Sequence, residues 1–137
     1  MKNKDAQLIA EISANHCGSI NLAKKLIYCA KINNADSVKL QTYTADTMTL
    51  DVSEREFFID DENSLWKGNS LHALYKLAHT PWEWHKPIMK KANELGLICF
   101  STPFDETAVD FLEELNVPAY KIASFENTDL PLIKKVA

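Results

Sequence analysis

Two lysines stand where a buried strand should carry apolar residues. Val38-Lys39-Leu40-Gln41 and Tyr120-Lys121-Ile122 each place one ammonium group in a β-rich run. Period two sends Lys39 and Gln41 to one face and Val38 and Leu40 to the other, which suits a strand whose outer face packs on helices while its inner face meets a ligand. Hydroxyls recur at comparable places: Ser101 and Thr102 close another such run, and Ser124 follows Lys121. Two ammonium groups with neighbouring hydroxyls are equipment for holding a phosphate and a carboxylate. Phosphoenolpyruvate carries both. Glu11, near the end of the first run, and Glu126, beyond Ser124, are carboxylic acids able to move protons near such a ligand, and a carboxylate among lysines has its charged form favoured. The plainer reading, solvent-facing antiparallel strands, is weakened because polar residues close all four runs. With only three glycines, the chain carries neither a Walker-type nor a dinucleotide-binding loop.

The elements that must position these groups follow a βα rhythm, short β-rich runs alternating with stretches of helical period, as around a parallel sheet. The first strand is expected at Leu8 to Ile12, and its helix at Asn21 to Asn33, with Leu22, Leu26, Cys29 and Ala30 as an apolar stripe. The second strand is Ser37 to Thr42. A long connection runs from Tyr43 to Thr80, with an acidic, mobile-looking stretch from Asp51 to Asn63 and a short helix carrying Leu71, Leu74, Tyr75 and Ala78 on one face; connections of this length are usually functional. Thr80, Pro81 and Glu83 read as cap, first helical residue and capping box of the next helix, which Gly96 ends and in which Pro87 predicts a kink or a locally loosened turn. Leu97 to Thr102, Glu106 to Leu115 and Ala119 to Ile122 complete the series as strand, helix and strand, and a last helix opens near Asp129 with no stop signal before Ala137. The fold class is α/β, about four βα units. In a (β/α) barrel the C-terminal strand ends carry the active site, and all four runs place polar residues there.

Composition agrees with a folded domain. In 137 residues, 46% are hydrophobic and 25% charged, and the formal net charge of -4 with dispersed lysines leaves no footprint for nucleic acid or anionic lipid. No apolar run approaches the roughly 20 residues of a bilayer span, and the polar start lacks the apolar stretch of a secretory signal, so a cytoplasmic protein is expected. Cys17, Cys29 and Cys99 are odd in number and widely spaced, as free thiols are.

The runs Ala10-Glu11-Ile12-Ser13-Ala14-Asn15-His16, Val38-Lys39-Leu40-Gln41-Thr42-Tyr43, Ser101-Thr102-Pro103-Phe104 and Pro118-Ala119-Tyr120-Lys121-Ile122-Ala123-Ser124, in this order and spacing, resemble the successive strand-end motifs of the sialic acid synthase family. Within that family, Leu65-Trp66-Lys67 followed by Thr80-Pro81-Trp82-Glu83-Trp84-His85 resembles the pseudaminic acid branch more than the neuraminate or legionaminate branches. The resemblance implies that residues 1–137 form the N-terminal half of a (β/α)8 TIM barrel, with the second half and a terminal antifreeze-like domain lying outside this chain. It implies that Lys39, Lys121 and Ser124 hold phosphoenolpyruvate, with Thr102 and Phe104 lining its carboxylate end, that Gln41 and Glu11 face an acetamido sugar, and that Glu126 sits beside the reacting carbons. The family reaction joins C3 of phosphoenolpyruvate to the aldehyde of the open-chain sugar, adds water at C2 and expels phosphate. A divalent metal, manganese or magnesium, polarises that aldehyde, and its histidine ligands belong to the barrel half not in this chain. A homodimer is implied for the full-length protein, and a half ring alone is expected to be inactive or weakly binding.

Plainer roles remain for several residues. His16 reads as a hydrogen-bonded loop residue, and His72, His79 and His85 as surface groups on or beside helices. Trp84 reads as helix-to-barrel packing, and Trp66 as part of a lid. Two other classes stay open: a related barrel synthase that joins phosphoenolpyruvate to an aldose phosphate, and a non-catalytic α/β binding or assembly module.

Overall fold

A computed structural model describes residues 6–137. Three parallel strands, β1 (Ile9–Glu11), β2 (Ser37–Thr42) and β3 (Ile98–Pro103), lie side by side in chain order. The register pairs Glu11 with Lys39, Lys39 with Phe100, and Gln41 with Thr102. Helices join consecutive strands: α1 (Ile20–Ile32) follows β1, and α4 (Trp82–Glu94) precedes β3. Between β2 and α4 lie α2 (Ala45–Met48) and α3 (Leu71–Ala78). After β3 come α5 (Glu106–Glu114) and α6 (Leu130–Val136). This is the α/β architecture of part of a (β/α) barrel.

Local chemistry explains the main boundaries. Ser19 caps α1 by accepting from the Leu22 N–H, and Asp105 caps α5 by accepting from the Thr107 N–H. Past α4, Gly96 adopts φ +68, a left-handed conformation open to glycine without a Cβ penalty, and turns the chain into β3. The core lies on the outer face of the sheet. Val38, Leu40 and Cys99 point there and meet Ala23 and Ile27 of α1 and Ile88 and Ala92 of α4, all buried. Ala108, Val109 and Leu112 of α5 and Leu132 of α6 bury the continuation of that layer.

Three expectations are corrected. Thr80 does not cap α4: Pro81 occupies the cap position without a side-chain bond, and the Thr80 hydroxyl instead meets His16 Nε2 at 3.1 Å. A tertiary partner has replaced the local one. Pro87 lies inside α4, which runs from Trp82 to Glu94, and its missing N–H removes one bond to the first turn. The fourth strand is reduced to one bridge, Tyr120 opposite Ser101, with the Lys121 N–H donating to the Ser101 carbonyl at 3.1 Å. Only one neighbour is present to fix it. Finally, His72 and His85 are not surface groups; both are buried.

The connection from Tyr43 to Thr80 is built rather than loose. Phe58 and Ser70 form an antiparallel bridge, continued by the Ile59 N–H to the Asn69 carbonyl at 3.0 Å and the Gly68 N–H to the Ile59 carbonyl at 2.9 Å. His72 holds its base: Nε2 lies 2.8 Å from Asp46 Oδ1 and Nδ1 lies 3.4 Å from Asp51 Oδ1. Both carboxylates are largely exposed, so screening keeps the clamp worth about 1 kcal/mol. His72→Ala is expected to accelerate limited proteolysis between residues 50 and 66 by roughly fivefold, matching that energy, while leaving cleavage elsewhere unchanged. Equal cleavage of native and variant chains would show that the clamp does not hold this excursion.

Candidate active site at the strand ends

Alternation along the strands carries Glu11, Lys39, Gln41 and Thr102 to the inner face, opposite the helices, near the C-terminal ends of β1, β2 and β3. Lys39 is central. Its ammonium group forms an ion pair with Glu11 and donates to Thr102 Oγ1 at 3.4 Å, and its side chain is only 11% exposed. Ser13 Oγ donates to the other Glu11 oxygen at 2.6 Å. Groups from three strands thus converge on one ammonium group.

Lys121 joins the same face through the bridge of Tyr120 to Ser101, which sets Lys121 level with Thr102. Tyr120 points the other way, its hydroxyl meeting the Glu113 carboxylate of α5. Lys39 and Lys121 therefore flank Thr102, on strands about 10 Å apart at the backbone, a gap that two lysine side chains can span. Ser124 and Glu126 lie in the 3-10 turn Ser124–Glu126 that follows; Ser124 is exposed and Glu126 half-buried. Neither side chain makes a hydrogen bond or ion pair among the described residues. Phe104 is packed rather than open: it meets Tyr43 edge to face at 5.5 Å, and Tyr43 meets Tyr75 at 5.8 Å. With Ala123 these rings form a small apolar floor under the strand ends. Burial, with Tyr75 alongside, pushes the Tyr43 hydroxyl up to about 12.

Two buried histidines, not singled out by residue type, brace this end of the sheet. His16 accepts from the Gly18 N–H on Nδ1 at 3.1 Å and so presents Nε2–H to the Thr80 hydroxyl. Burial lowers its pKa, and His79 adds to the effect. His85 meets Thr42 and stands edge to face with Phe111 at 5.3 Å. Beside it Trp82 stacks on Phe111 at 4.6 Å and donates Nε1–H to the Tyr43 carbonyl at 3.3 Å. The signal in the sequence was Trp82-Glu83-Trp84-His85 next to a prolyl helix start; which face would be covered was not legible there.

A cavity of about 870 Å3 opens at the other end of β3, between α4 and α5, with Lys86, Gly96, Leu97 and Glu114 among its lining residues. That end of a (β/α) barrel serves stability rather than chemistry. Among the described residues no group of three or more His, Cys, Asp or Glu side chains is arranged to hold a metal ion. The three cysteines are unpaired, and burial pushes the Cys99 thiol up to about 12. No helix among the described residues is long and apolar enough to cross a membrane.

The chain is 48% identical over 131 residues to a pseudaminic acid synthase of Helicobacter pylori, an alignment covering 96% of this chain and 38% of that protein. It is 37% identical over 130 residues to an N,N'-diacetyllegionaminic acid synthase of Legionella pneumophila, covering 95% of this chain and 36% of that protein. The chain thus spans less than two fifths of the length of these curated relatives. A crystal structure of the N-acetylneuraminic acid synthetase of Leptospira borgpetersenii, in complex with citrate, superposes with a TM-score of 0.78 at 23% identity, covering 98% of this chain and 44% of that one. At that identity the likeness speaks for the fold. Residues 26–137 match the NeuB family, and the chain belongs to that family.

Proposed function

We propose that this chain is the N-terminal half of the barrel of a pseudaminic acid synthase. The enzyme condenses phosphoenolpyruvate with a 2,4-diacetamido-2,4,6-trideoxy hexose to give a nonulosonic acid and phosphate. The observation that carries the reading is the meeting of Glu11, Lys39 and Thr102 on the inner face, with Lys121 level with Thr102. The higher identity to a pseudaminic than to a legionaminic acid synthase supports the choice of sugar, with legionaminate or neuraminate synthesis as the nearest alternatives.

In this reading Lys39, Lys121 and Ser124 bind the phosphate and carboxylate of phosphoenolpyruvate, and Thr102 orients the carboxylate end over the Phe104 floor. Gln41 and Glu11 contact the sugar, and Glu126 handles a proton beside the carbons that join. The divalent metal that polarises the aldehyde takes its ligands from residues outside this chain, as do the closing strands, the terminal domain and the homodimer contact. The protein works in the cytoplasm, and this chain alone binds rather than turns over. Because Glu11 occupies the Lys39 ammonium group, an incoming anion must compete with it.

Calorimetric titration of phosphoenolpyruvate into the chain tests the reading. Lys39→Ala and Lys121→Ala are each expected to weaken binding tenfold or more, the loss of a charge-assisted contact worth about 1.5–3 kcal/mol. Glu11→Gln, which frees the ammonium group, is expected to tighten it. Binding that neither lysine substitution changes would sink the proposal.

A further inference from the structure

Behind the strand ends, on the helix side of the sheet, a buried polar chain joins three elements. Thr42 Oγ1 lies 2.8 Å from His85 Nε2 and 2.7 Å from Ser101 Oγ, and His85 Nδ1 lies 3.3 Å from the Pro81 carbonyl. The side chains of Thr42, Ser101 and His85 are all buried. A carbonyl only accepts, so Nδ1 carries the ring proton and Nε2 accepts from the Thr42 hydroxyl, whose oxygen in turn accepts from Ser101. The chain of bonds has one direction and one geometry.

It also stands at the tips of the two strands. The partner of Thr42 across the sheet is Pro103, and these two residues end β2 and β3. The bond between Thr42 and Ser101 ties the two strand tips through their side chains. Each member of this bond adjoins an inner-face residue, Gln41 before Thr42 on β2 and Thr102 after Ser101 on β3, and those two are paired in register. Thr102 in turn receives the Lys39 ammonium group at 3.4 Å. If filling space were the only requirement, an apolar side chain would serve at position 85 without burying an imidazole, which costs free energy unless every bond is made.

We propose that His85 is a positioning residue. Holding Thr42 and Ser101 from behind, it sets the height of Gln41 against Thr102 and the point at which Lys39 meets Thr102. The inference rests on the reading of these inner-face groups as the phosphoenolpyruvate site, and its test separates the two. His85→Gln keeps an amide oxygen near the place of Nε2, His85→Asn falls short of Thr42, and Ile88→Val weakens the same helix without touching the polar chain.

The backbone amide signals of Lys39, Gln41 and Thr102 are followed by 15N-edited NMR, and phosphoenolpyruvate affinity by calorimetry. His85→Asn is expected to shift all three signals and weaken binding about tenfold, or 1.4 kcal/mol. His85→Gln should return both readouts close to native, and Ile88→Val should leave the signals in place. If His85→Asn does not fold, Thr42→Val, which removes only the hydroxyl, gives the same readout. Signals unmoved in His85→Asn, or moved as far by Ile88→Val, would overturn the proposal. Shifted signals in His85→Asn, together with a native chain that binds no phosphoenolpyruvate, would support the positioning of the strand ends and refute the substrate reading.

Discussion

Between pH 6.5 and pH 4 the chain is expected to lose stability steeply, because burial holds the His85 imidazole down at about 4 against an ordinary 6.5. Desolvation is the leading cause; the Pro81 carbonyl and Glu83 act in the opposite direction and only partly offset it. The sign follows from proton binding. In this window the unfolded chain binds a proton at His85 and the folded chain does not, so each step toward acid favours unfolding. Above pH 6.5 the contribution is complete, and it is lost as the pH falls toward the folded value. At 1.36 kcal/mol per unit the swing is about 3 kcal/mol from this one group, and His16, also lowered by burial, adds in the same direction. Urea unfolding at a series of pH values measures it. His85→Gln should start less stable at neutral pH and show a flatter profile between pH 6.5 and 4. An equally steep profile in that variant would assign the acid loss to other groups.

Leu40→Ala is expected to cost about 3 kcal/mol, within the usual range for truncating a buried leucine. Leu40 is 1% exposed on the central strand and packs in the cluster that contains Ile27 of α1 and Ile88 of α4, so the void would open between the sheet and two helices. It also lies between Lys39 and Gln41 in the chain. Loosening there should weaken phosphoenolpyruvate binding as well as the fold. Leu65→Ala, at a residue 96% exposed, should change stability by no more than about 0.5 kcal/mol. The comparison is made by urea unfolding with the slope required to stay constant, so that the midpoints report stability. Similar midpoints for the two variants would contradict the placement of the core.

Much of this arrangement was legible from local pattern. Ser37 to Thr42 is a strand because Val38 and Leu40 alternate with Lys39 and Gln41, and its observed limits are those expected. The first helix begins one residue before Asn21, at its Ser19 cap, and ends one before Asn33, but its buried face is Ala23, Ile27 and Ala30, with Cys29 of the expected stripe exposed, because the sheet covers a face rotated by about one residue. The inner face of Glu11, Lys39, Gln41 and Thr102 follows from period two once the strands are parallel, and the meeting of Lys39 with Thr102 confirms their common side. Ser124 and Glu126 were less legible, because a turn places side chains by its own geometry and not by the strand period.

What the amino-acid sequence determined by itself is the βα order, the strand faces and the chemical type of the inner-face groups, because alternation, helical period and capping act over a few residues. What only the tertiary structure decided is where side chains with two plausible partners went. Thr80 had a local helix end to cap and took His16 instead; His85 sat on a polar-looking helix start and was buried against Thr42 and Phe111; Tyr120 and Lys121 formed one bridge rather than a full strand. In each case the outcome depends on which distant element covers the group and removes water from it. A buried donor or acceptor must find a partner wherever the fold supplies one, and that supply is not written in neighbouring residues.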